Sequence, residues 1–317
     1  MFTKKLLEYQ SGEEMDTIVL LKQVDVRVAK NGKQFLAIVF EDSSGEISGK
    51  YWDASNEDVN LYQAGEIVEV NGRRETYQNN PQIRIYSLRP VMKEEGYEVS
   101  QFVRQAPVSS DSLLDKMSYY QNEIAHPVWS KLVNYLVDKY HKRFFEYPAA
   151  KTNHHAFAGG LAFHTVSMLD LAHHMLDIYE GINKELLYSG IILHDLAKTI
   201  ELSGPISTDY TLEGNLIGHI ALIDEEVVKA AQTLEIDEET ESFLLLRHLV
   251  LSHHGLKEYG SPVRPQILEA EVLHRIDEFD ASMNMMTESL KQISPGEFTG
   301  RIFALENRKL YKPYYRK

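Results

Sequence analysis

The chain has 317 residues, of which 43% are hydrophobic and 25% are charged, a composition typical of a folded protein with two domains. It contains no cysteine, which excludes disulfide bonds, thiolate metal ligands and a cysteine nucleophile. The formal net charge of −14 argues against a protein that coats nucleic acid by bulk electrostatic attraction, but it is compatible with an enzyme whose acidic residues hold divalent cations.

The N-terminal sequence does not have the pattern of a targeting segment. Residues 1–16 contain two lysines, but Glu and Gln interrupt them before a long apolar region forms, so no signal peptide is predicted. No apolar run approaches the ~20 residues that a membrane-spanning helix needs. We therefore expect a cytoplasmic protein with no membrane partner.

Residues 1–95 are predicted to form an all-β domain of the OB type, a small barrel of five strands with a helix between the third and fourth. Turn signals at Asn31-Gly32 and Asn79-Asn80-Pro81 separate strands, and Asn56–Gln63 is compatible with the helix. The predicted strands are Met15–Val28, Gln34–Phe40, Glu46–Trp52, Glu66–Val70 and Gln82–Leu88.

Barrels of this kind bind single-stranded nucleic acid in a groove of aromatic and basic side chains. Strand side chains alternate between the core and the surface, so about half of the aromatic candidates would pack inside instead. The stretch Gly72–Tyr77 is the strongest local indication of a groove. The candidate nucleic-acid-binding residues are Phe35, Tyr51, Trp52, Arg73, Arg74, Tyr77, Arg84 and Tyr86.

The rest of the chain is predicted to be helical, with a connector and first helices in 96–145, an all-α domain in 146–290 and a basic aromatic tail in 291–317. Ser110 or Asp111 is expected to cap the first of these helices. The tail could contact a polynucleotide backbone or pair with the acidic body of the protein, and both interpretations stay open. Its basic residues are Arg301, Arg308, Lys309, Lys312, Arg316 and Lys317, placed among Phe303, Tyr311, Tyr314 and Tyr315.

The histidines cluster in the helical region, where 11 of the 13 lie between His154 and His274. A lone histidine on an apolar helix face is more often a packed core residue, but an ordered series of imidazoles and carboxylates is typical of a site for Zn, Mn, Fe, Co or Ni. Adjacent helix positions point about 100° apart, so His194 and Asp195 can share a metal only near a helix axis or end, where the aspartate could bridge two ions. The series is His164, His194-Asp195, His219, His253-His254 and Asp277.

At these residues the chain resembles the HD superfamily of phosphohydrolases, and within it the YhaM-type 3′-to-5′ exoribonucleases, which combine an N-terminal OB domain with a C-terminal HD domain. The resemblance covers nearly the whole chain. It implies an all-α HD-type domain that trims single-stranded RNA, and single-stranded DNA as a second substrate, to 5′-mononucleotides. The motifs that carry it are Gly160-Leu161-Ala162-Phe163-His164-Thr165, His194-Asp195-Leu196-Ala197-Lys198, the run from Tyr210 to His219, Ser252-His253-His254-Gly255 and the run from Gly260 to Pro265.

The resemblance also implies a divalent metal centre of one or two ions. Mn²⁺ is the first expectation, with Co²⁺, Fe²⁺, Ni²⁺ and Zn²⁺ as alternatives. Gly160 stands where some relatives carry a glutamate, which leaves the second ion open, and Asp280 is expected beside the ligands. The implied ligands are His164, His194, Asp195 and Asp277 for one ion, and His219 with one or both of His253 and His254 for the other.

Catalytic roles are expected for Asp195 and for two cations, Lys198 and Arg264, which could neutralise charge on the phosphoryl oxygens. His154 and His155 lie in a predicted loop, as candidates to approach substrate or as ordinary loop histidines, and His173, His174 and His274 are expected to be structural. A homo-oligomer is compatible with the sequence.

Two other functions compete with the exonuclease interpretation. One is an HD-type nucleotidase or phosphodiesterase for small nucleotides, although the loop at Tyr259-Gly260-Ser261-Pro262 lacks the Gly-Tyr-Pro motif of cyclic-dinucleotide phosphodiesterases. The other is a non-catalytic nucleic-acid-binding replication accessory protein. The retention of every expected ligand type argues against this second alternative.

Overall fold

A computed structural model describes residues 4–77, 80–152 and 155–315. The chain divides into two compact units: a barrel unit, Met1–Gln105 together with Ser289–Lys317, and a helical unit, Ala106–Glu288. Asn79 of the predicted turn, His154, Arg316 and Lys317 lie outside the described residues.

The barrel unit is built on a closed five-stranded barrel in the order β1-β2-β3-β5-β4. Neighbouring strands are antiparallel except β3 and β5, which are parallel. The prediction of an OB-type barrel with a helix between the third and fourth strands is confirmed. The elements are β1 (Glu14–Val28), β2 (Gln34–Asp42), β3 (Gly45–Tyr51), α1 (Asn56–Leu61), β4 (Ile67–Tyr77) and β5 (Asn80–Pro90).

Strand β4 is longer than predicted, because it runs to Tyr77 rather than ending at Val70. The register with β5 shifts between Asn71 and Gly72, and a side chain at Gly72 would place its Cβ 2.5 Å from the carbonyl oxygen of Arg84. A glycine therefore lets the two strands approach here. The stretch Gly72–Tyr77, which was the strongest local indication of a groove in the sequence, lies within this strand.

The interior of the barrel is a continuous apolar core. Alternate residues at the start of β1, Met15, Thr17 and Val19, are buried, which is the period-two pattern of a strand with one face inside. Phe40 on β2 and Ile83 on β5 are also almost fully buried. This apolar core fills the barrel interior. Exposed polar and aromatic side chains lie on the outside, near the ends of β3 and β4 and on the first half of β5.

The helical unit is all-α among its described residues, as predicted. Its first helix is capped by Ser109, whose side chain accepts a hydrogen bond from the Ser112 amide, rather than by Ser110 or Asp111. No helix among the described residues combines the length and the apolar character required to cross a membrane. The helices are α2 (Ser110–Asn122), α3 (Pro127–Glu146), α4 (Gly160–Leu176), α5 (Lys184–Leu193), α6 (Lys198–Glu201), α7 (Leu212–Leu216), α8 (His219–Thr233), α9 (Glu241–Ser252) and α10 (Leu268–Lys291).

Close packing of α5 against α9 sets the position of the histidine cluster. Gly190 of α5 has no room for a side chain, because a Cβ there would lie 2.3 Å from a methyl carbon of Leu249 on α9. Tyr188 on α5 and Phe243 on α9 are buried in the core of the same unit. The C-terminal ends of both helices therefore approach each other.

The chain after α10 folds back on itself as a C-terminal hairpin, which we define as residues 296–312. Two antiparallel bridges, Phe298 with Tyr311 and Ile302 with Arg308, join its two arms. Thr299 and Leu305 are buried, and the Thr299 hydroxyl accepts a hydrogen bond from the Leu310 amide across the hairpin. The hairpin belongs to the barrel unit.

Candidate metal centre and nucleic-acid interface

Five helices place the candidate ligands at one point in the helical unit. His194 is the C-cap of α5, and Asp195 follows it in the next turn. His253 is the C-cap of α9, and His219 is the first residue of α8. Because helix ends rather than helix faces supply these side chains, neighbours such as His194 and Asp195 can point to the same place. The site takes its remaining candidates, His164 and Asp277, from α4 and α10.

The two carboxylate oxygens of Asp195 face two different groups of imidazoles. Oδ2 lies 3.3 Å from Nε2 of His194 and 3.8 Å from Nε2 of His164. Oδ1 lies 3.4 Å from Nε2 of His219 and 3.8 Å from Nε2 of His253. Asp195 is therefore the shared centre of two ligand clusters, one with His164 and His194 and the other with His219, His253 and His254.

Every candidate ligand imidazole is held by its other ring nitrogen, Nδ1. His194 and His253 donate to the carbonyl oxygens of Ile191 and Val250, at 2.8 and 2.7 Å. His254 donates to the carbonyl of Tyr259 at 2.7 Å. The remaining two donate to carboxylates: His164 to Asp280 Oδ2 at 2.7 Å, and His219 to Glu201 Oε1 at 3.0 Å. An imidazole fixed in this way presents Nε2 as the ligand atom.

A metal site requires neutral imidazole nitrogens and ionised carboxylates, and burial and neighbouring charges favour these forms at three of the candidate ligands. Burial lowers the pKa of His253 well below its usual range and also lowers that of His254. Burial would raise the pKa of Asp195, but Lys198 and His194 outweigh it and hold the pKa well below the ordinary value. The pKa of His164 is about 9, because Asp277 and Asp280 outweigh its burial, so a metal ion at Nε2 would replace a proton.

Several buried polar atoms of the cluster have no hydrogen-bond partner among the described residues. They are Nε2 of His194, His219 and His253, and Oδ1 of Asp195. Leaving such atoms buried and unsatisfied costs about 1–3 kcal/mol each. Nitrogen and carboxylate oxygen donors aimed at a common point match the coordination preferences of a first-row divalent cation, so the residues present fit a metal ion.

The two predicted catalytic cations differ in position. Lys198 is buried rather than solvated, and its Nζ lies 2.7 Å from Asp195 Oδ2. Arg264 is exposed and makes no hydrogen bond or ion pair with any residue that the structure describes. The structure therefore brings Lys198 into the cluster, whereas the role of Arg264 stays a prediction.

Two carboxylates around the cluster have roles that the sequence indicated weakly or not at all. Asp280, expected beside the ligands, accepts hydrogen bonds from His164, His155 and Ser167. His155 is buried, which excludes it as a loop residue exposed to substrate. Glu201 was missed, although it follows His194-Asp195 closely in the chain and accepts from both the backbone amide and the ring of His219.

The absent glutamate at position 160 has a steric explanation. A Cβ on Gly160 would lie 2.0 Å from the carbonyl oxygen of His155. Backbone thus occupies the space that a side chain at this position would need. Similarly, a Cβ on Gly214 would lie 2.2 Å from the carbonyl of Glu201, so this glycine allows α7 to pack beside the residue that holds His219.

The barrel unit carries a separate concavity of about 870 Å³ at the ends of β3, β4 and β5. Four of the eight predicted nucleic-acid-binding residues line it: Trp52, Tyr77, Arg84 and Tyr86. The three aromatic rings are half or more exposed. Lys50, Glu75 and Gln82 also line it and were missed by the sequence analysis, because nothing in their local pattern distinguishes them from ordinary strand residues. Lys50 lies 5.5 Å above the Trp52 ring.

The other four predicted residues do not line this concavity. Phe35 is buried and supports Trp52, with ring centroids 4.6 Å apart. Tyr51 packs against the barrel core through Tyr62, and Arg73 donates to the carbonyl of Gly12. Arg74 is half-buried, and its burial lowers the pKa of its guanidinium. Strand alternation accounts for the inward direction of Tyr51 beside the outward Trp52.

Comparison with known proteins assigns part of the helical unit. Residues 161–282 match the HD domain family. The barrel region is similar to the second OB-fold domain of replication protein A from Methanococcus maripaludis, with 18% identity, coverage of 31% of this chain and 100% of that chain, and a TM-score of 0.24. It is also similar to a replication protein A heterotrimer bound to ssDNA, with 24% identity, coverage of 28% of this chain and 64% of that chain, and a TM-score of 0.21.

The HD match spans the residues from the start of α4 to the acidic pair on α10 and therefore contains the whole candidate cluster. An HD domain implies binding of divalent metal. The predicted fold class, an N-terminal OB-type barrel followed by an all-α HD-type domain, is confirmed. The helical unit of this chain contains an HD domain, which indicates a metal-dependent phosphohydrolase.

Proposed function

We propose that the protein is a metal-dependent 3′-to-5′ exonuclease that hydrolyses single-stranded RNA, and also single-stranded DNA, to 5′-mononucleotides. The observation that carries this proposal is the Asp195-centred cluster, which offers a phosphohydrolase metal site in a chain that also has an exposed aromatic and basic concavity on an OB-type barrel. The polarity and the preference for RNA rest on the resemblance to the YhaM-type enzymes.

His164, His194, Asp195 and Asp277 would hold one divalent ion, and His219, His253 and His254 would hold a second that shares Asp195. Mn²⁺ is the metal we expect. A bound ion of this kind activates water and polarises phosphoryl oxygens at neutral pH. The hydrolysis forms a bond between the water oxygen and phosphorus and breaks the bond between phosphorus and the 3′ oxygen of the preceding nucleotide. The water gives up a proton, and the leaving 3′ oxygen takes up a proton to become a new 3′ hydroxyl.

The protein's own groups orient and neutralise the reacting phosphodiester. Lys198 Nζ, which lies 2.7 Å from Asp195 Oδ2, would donate to a phosphoryl oxygen and offset its charge. Asp280 and Glu201 keep two of the imidazoles in one orientation, so the site is preorganised. Arg264 would contact the phosphate of the next nucleotide.

The barrel would hold the strand during hydrolysis. Trp52, Tyr77 and Tyr86 provide faces on which successive bases can stack, a contact that every base can make. Arg84 and Lys50 provide charge for the backbone phosphates. This combination binds single strands without a strong sequence preference.

The test is a time course with Mn²⁺ on single-stranded RNA labelled at the 5′ end, run beside the same RNA labelled at the 3′ end. The proposal expects a ladder from the first substrate and immediate release of labelled 5′-mononucleotide from the second. A circular RNA of the same sequence should resist. Cleavage of the circle, or a ladder only from the 3′-labelled strand, would contradict the assigned polarity and mode.

Asp195→Asn is the matched site variant, and Asp138→Asn is its control, because Asp138 is exposed on α3. Loss of a residue that only hydrogen-bonds to a metal ligand typically lowers activity by ~10–100-fold. We expect Asp195→Asn to lower the rate of RNA hydrolysis by more than this, and Asp138→Asn to keep the wild-type rate. Hydrolysis of mononucleotides with intact RNA would favour a nucleotidase. Normal RNA binding without any hydrolysis would favour an accessory protein.

A further inference from the structure

The C-terminal hairpin differs in charge from the rest of the protein. Residues 296–312 contain four Lys and Arg and two Glu, whereas the whole chain contains 33 Lys and Arg and 47 Asp and Glu. A local excess of positive charge in an acidic protein creates a positive potential that can attract an anionic ligand.

Among the residues that the structure describes, Arg301, Arg308 and Lys309 of the hairpin form no ion pair with a carboxylate. Arg301 and Lys309 are exposed, and among the residues that the structure describes neither lies within 4.0 Å of a carboxylate. Arg308 donates to the carbonyl of Leu305. These three cations are therefore available to an external anionic partner, while pairing of other tail residues with the acidic body stays an open alternative.

The aromatic side chains of the hairpin and the residues after it face solvent instead of packing. Phe303 and Tyr314 are 85% and 79% exposed. Phe298 and Tyr311, paired across the two arms with centroids 5.0 Å apart, are exposed as well. Tyr314 is nevertheless held in place, because its ring lies against Gly296, where a Cβ would be 2.2 Å from the hydroxyl. These exposed rings are therefore available to stack on a ligand and do not belong to the core.

We propose that this hairpin is a second contact surface for single-stranded nucleic acid, separate from the concavity on the barrel. Arg301, Arg308 and Lys309 would contact backbone phosphates, and Phe303, Tyr314 and the Phe298–Tyr311 pair would stack on bases. Cations alternating with exposed rings match the two repeating features of a single strand, its phosphates and its base faces. The inference rests on the proposed function for the choice of strand.

The test measures the affinity of the full-length protein for a single-stranded RNA at several salt concentrations, by fluorescence anisotropy without divalent metal so that the RNA stays intact. The variant Arg301→Ala/Lys309→Ala removes two exposed cations. The control Lys131→Ala/Lys142→Ala removes two exposed cations from α3 and makes the same change in net charge. For a single strand each lost phosphate contact should reduce the slope of log affinity against log salt by about 0.7.

We expect the hairpin variant to lower the slope by about 1.4 and the control to leave it unchanged. The variant Phe303→Ala/Tyr314→Ala should weaken binding by at least about five-fold, with the same salt slope as the wild type. Since these side chains are exposed, the variants should keep the wild-type thermal transition, which checks folding.

Equal slopes for the wild type and the hairpin variant would overturn the inference. It would also be overturned if the hairpin variants bind RNA normally but change the molar mass in light scattering, because the hairpin would then be an interface between two copies of the chain. If the wild type binds and cleaves RNA, either result removes this inference and leaves the proposed function intact. If the wild type does not bind RNA, the proposed function fails first.

Discussion

Two carboxylates hold imidazoles of the metal centre by their Nδ1 atoms, and Glu201 allows the clearer test. Its Oε1 lies 3.0 Å from both the amide nitrogen and the ring Nδ1 of His219. Burial would raise its pKa, but the hydrogen bonds from His219 outweigh this and lower it, so the carboxylate is ionised. A charged acceptor at this position fixes the ring and makes Nε2 more basic.

We predict that Glu201→Ala lowers both metal affinity and the rate of RNA hydrolysis by about 10–100-fold, because the His219 ring loses its fixed orientation. Glu201→Gln keeps an acceptor oxygen and should recover part of the loss. Isothermal titration with Mn²⁺ and initial rates measure the two effects. Glu213→Ala, an exposed glutamate on α7, is the control. An equal loss in this control would mean that Glu201 matters only for folding.

At the scale of elements, helices α3 and α8 are joined by a buried carboxylate. Glu226 on α8 accepts hydrogen bonds from Lys139 Nζ at 2.5 Å and from the Tyr140 hydroxyl at 2.7 Å, both on α3. Burial would raise the pKa of Glu226, but these two donors outweigh burial and lower it. Because the folded pKa lies below the unfolded one, the contribution to stability is present above about pH 4.3 and is lost as pH falls through the folded pKa.

Glu226→Gln should therefore lower the free energy of unfolding at pH 7 by about 1 kcal/mol, a value discounted because Lys139 is 40% exposed. The difference from the wild type should shrink towards zero as the pH falls below 4. Urea unfolding followed by far-ultraviolet circular dichroism at several pH values measures this. Glu225→Gln changes an exposed pair with Lys229 and should have little effect at any pH. A pH-independent difference would contradict the prediction.

Local patterns predicted the elements better than the contacts between them. Apolar stretches and turn residues were enough to predict the five strands, but the end of β4 depended on the close approach of Gly72 to Arg84, which links residues distant in sequence. The ordered histidines predicted the cluster at Asp195. The anchor Glu201 was not predicted, because only the packing of α6 against α8 brings it to His219.

At the scale of the whole molecule, the proposed function assigns hydrolysis to one compact unit and strand binding to the other. The cluster lies within Ala106–Glu288, and the concavity with Trp52 lies within the barrel unit. Changes at one surface should therefore alter one measured quantity. Measuring binding and hydrolysis separately therefore distinguishes an enzyme that binds a single strand through its barrel from a phosphohydrolase for small nucleotides whose barrel has another role.

Trp52→Ala should weaken binding of single-stranded RNA by at least about five-fold, because the loss of one stacked base costs about 1–3 kcal/mol. Trp52 is 56% exposed and Tyr179 in the helical unit is equally exposed, so Tyr179→Ala is a control of matched size and exposure. Anisotropy titrations at constant salt measure both. Unchanged affinity of the Trp52 variant would exclude the concavity as a base-stacking surface.

Metal removal should lower the thermal stability of the protein, because a bound ion would satisfy the buried Nε2 atoms of His194, His219 and His253, which have no hydrogen-bond partner among the described residues. At a hundred-fold excess of Mn²⁺ over its Kd the stabilisation is about 2.7 kcal/mol, which corresponds to roughly 5–10 °C in Tm. Differential scanning fluorimetry with Mn²⁺ or EDTA measures it. Asp195→Asn should show a much smaller rise, and an equal rise would place the ion elsewhere.

The contact between Gly160 and the carbonyl of His155 restricts how this metal centre can change by mutation. With only 2.0 Å between that oxygen and any Cβ, a glutamate cannot be added at position 160 by a single substitution. A variant that carries only this glutamate would fold poorly, because its side chain would clash with the carbonyl of His155. The backbone around His155 has to change as well before position 160 can supply a carboxylate. An engineer who wishes to alter the ligand set should therefore redesign the segment before α4 together with position 160.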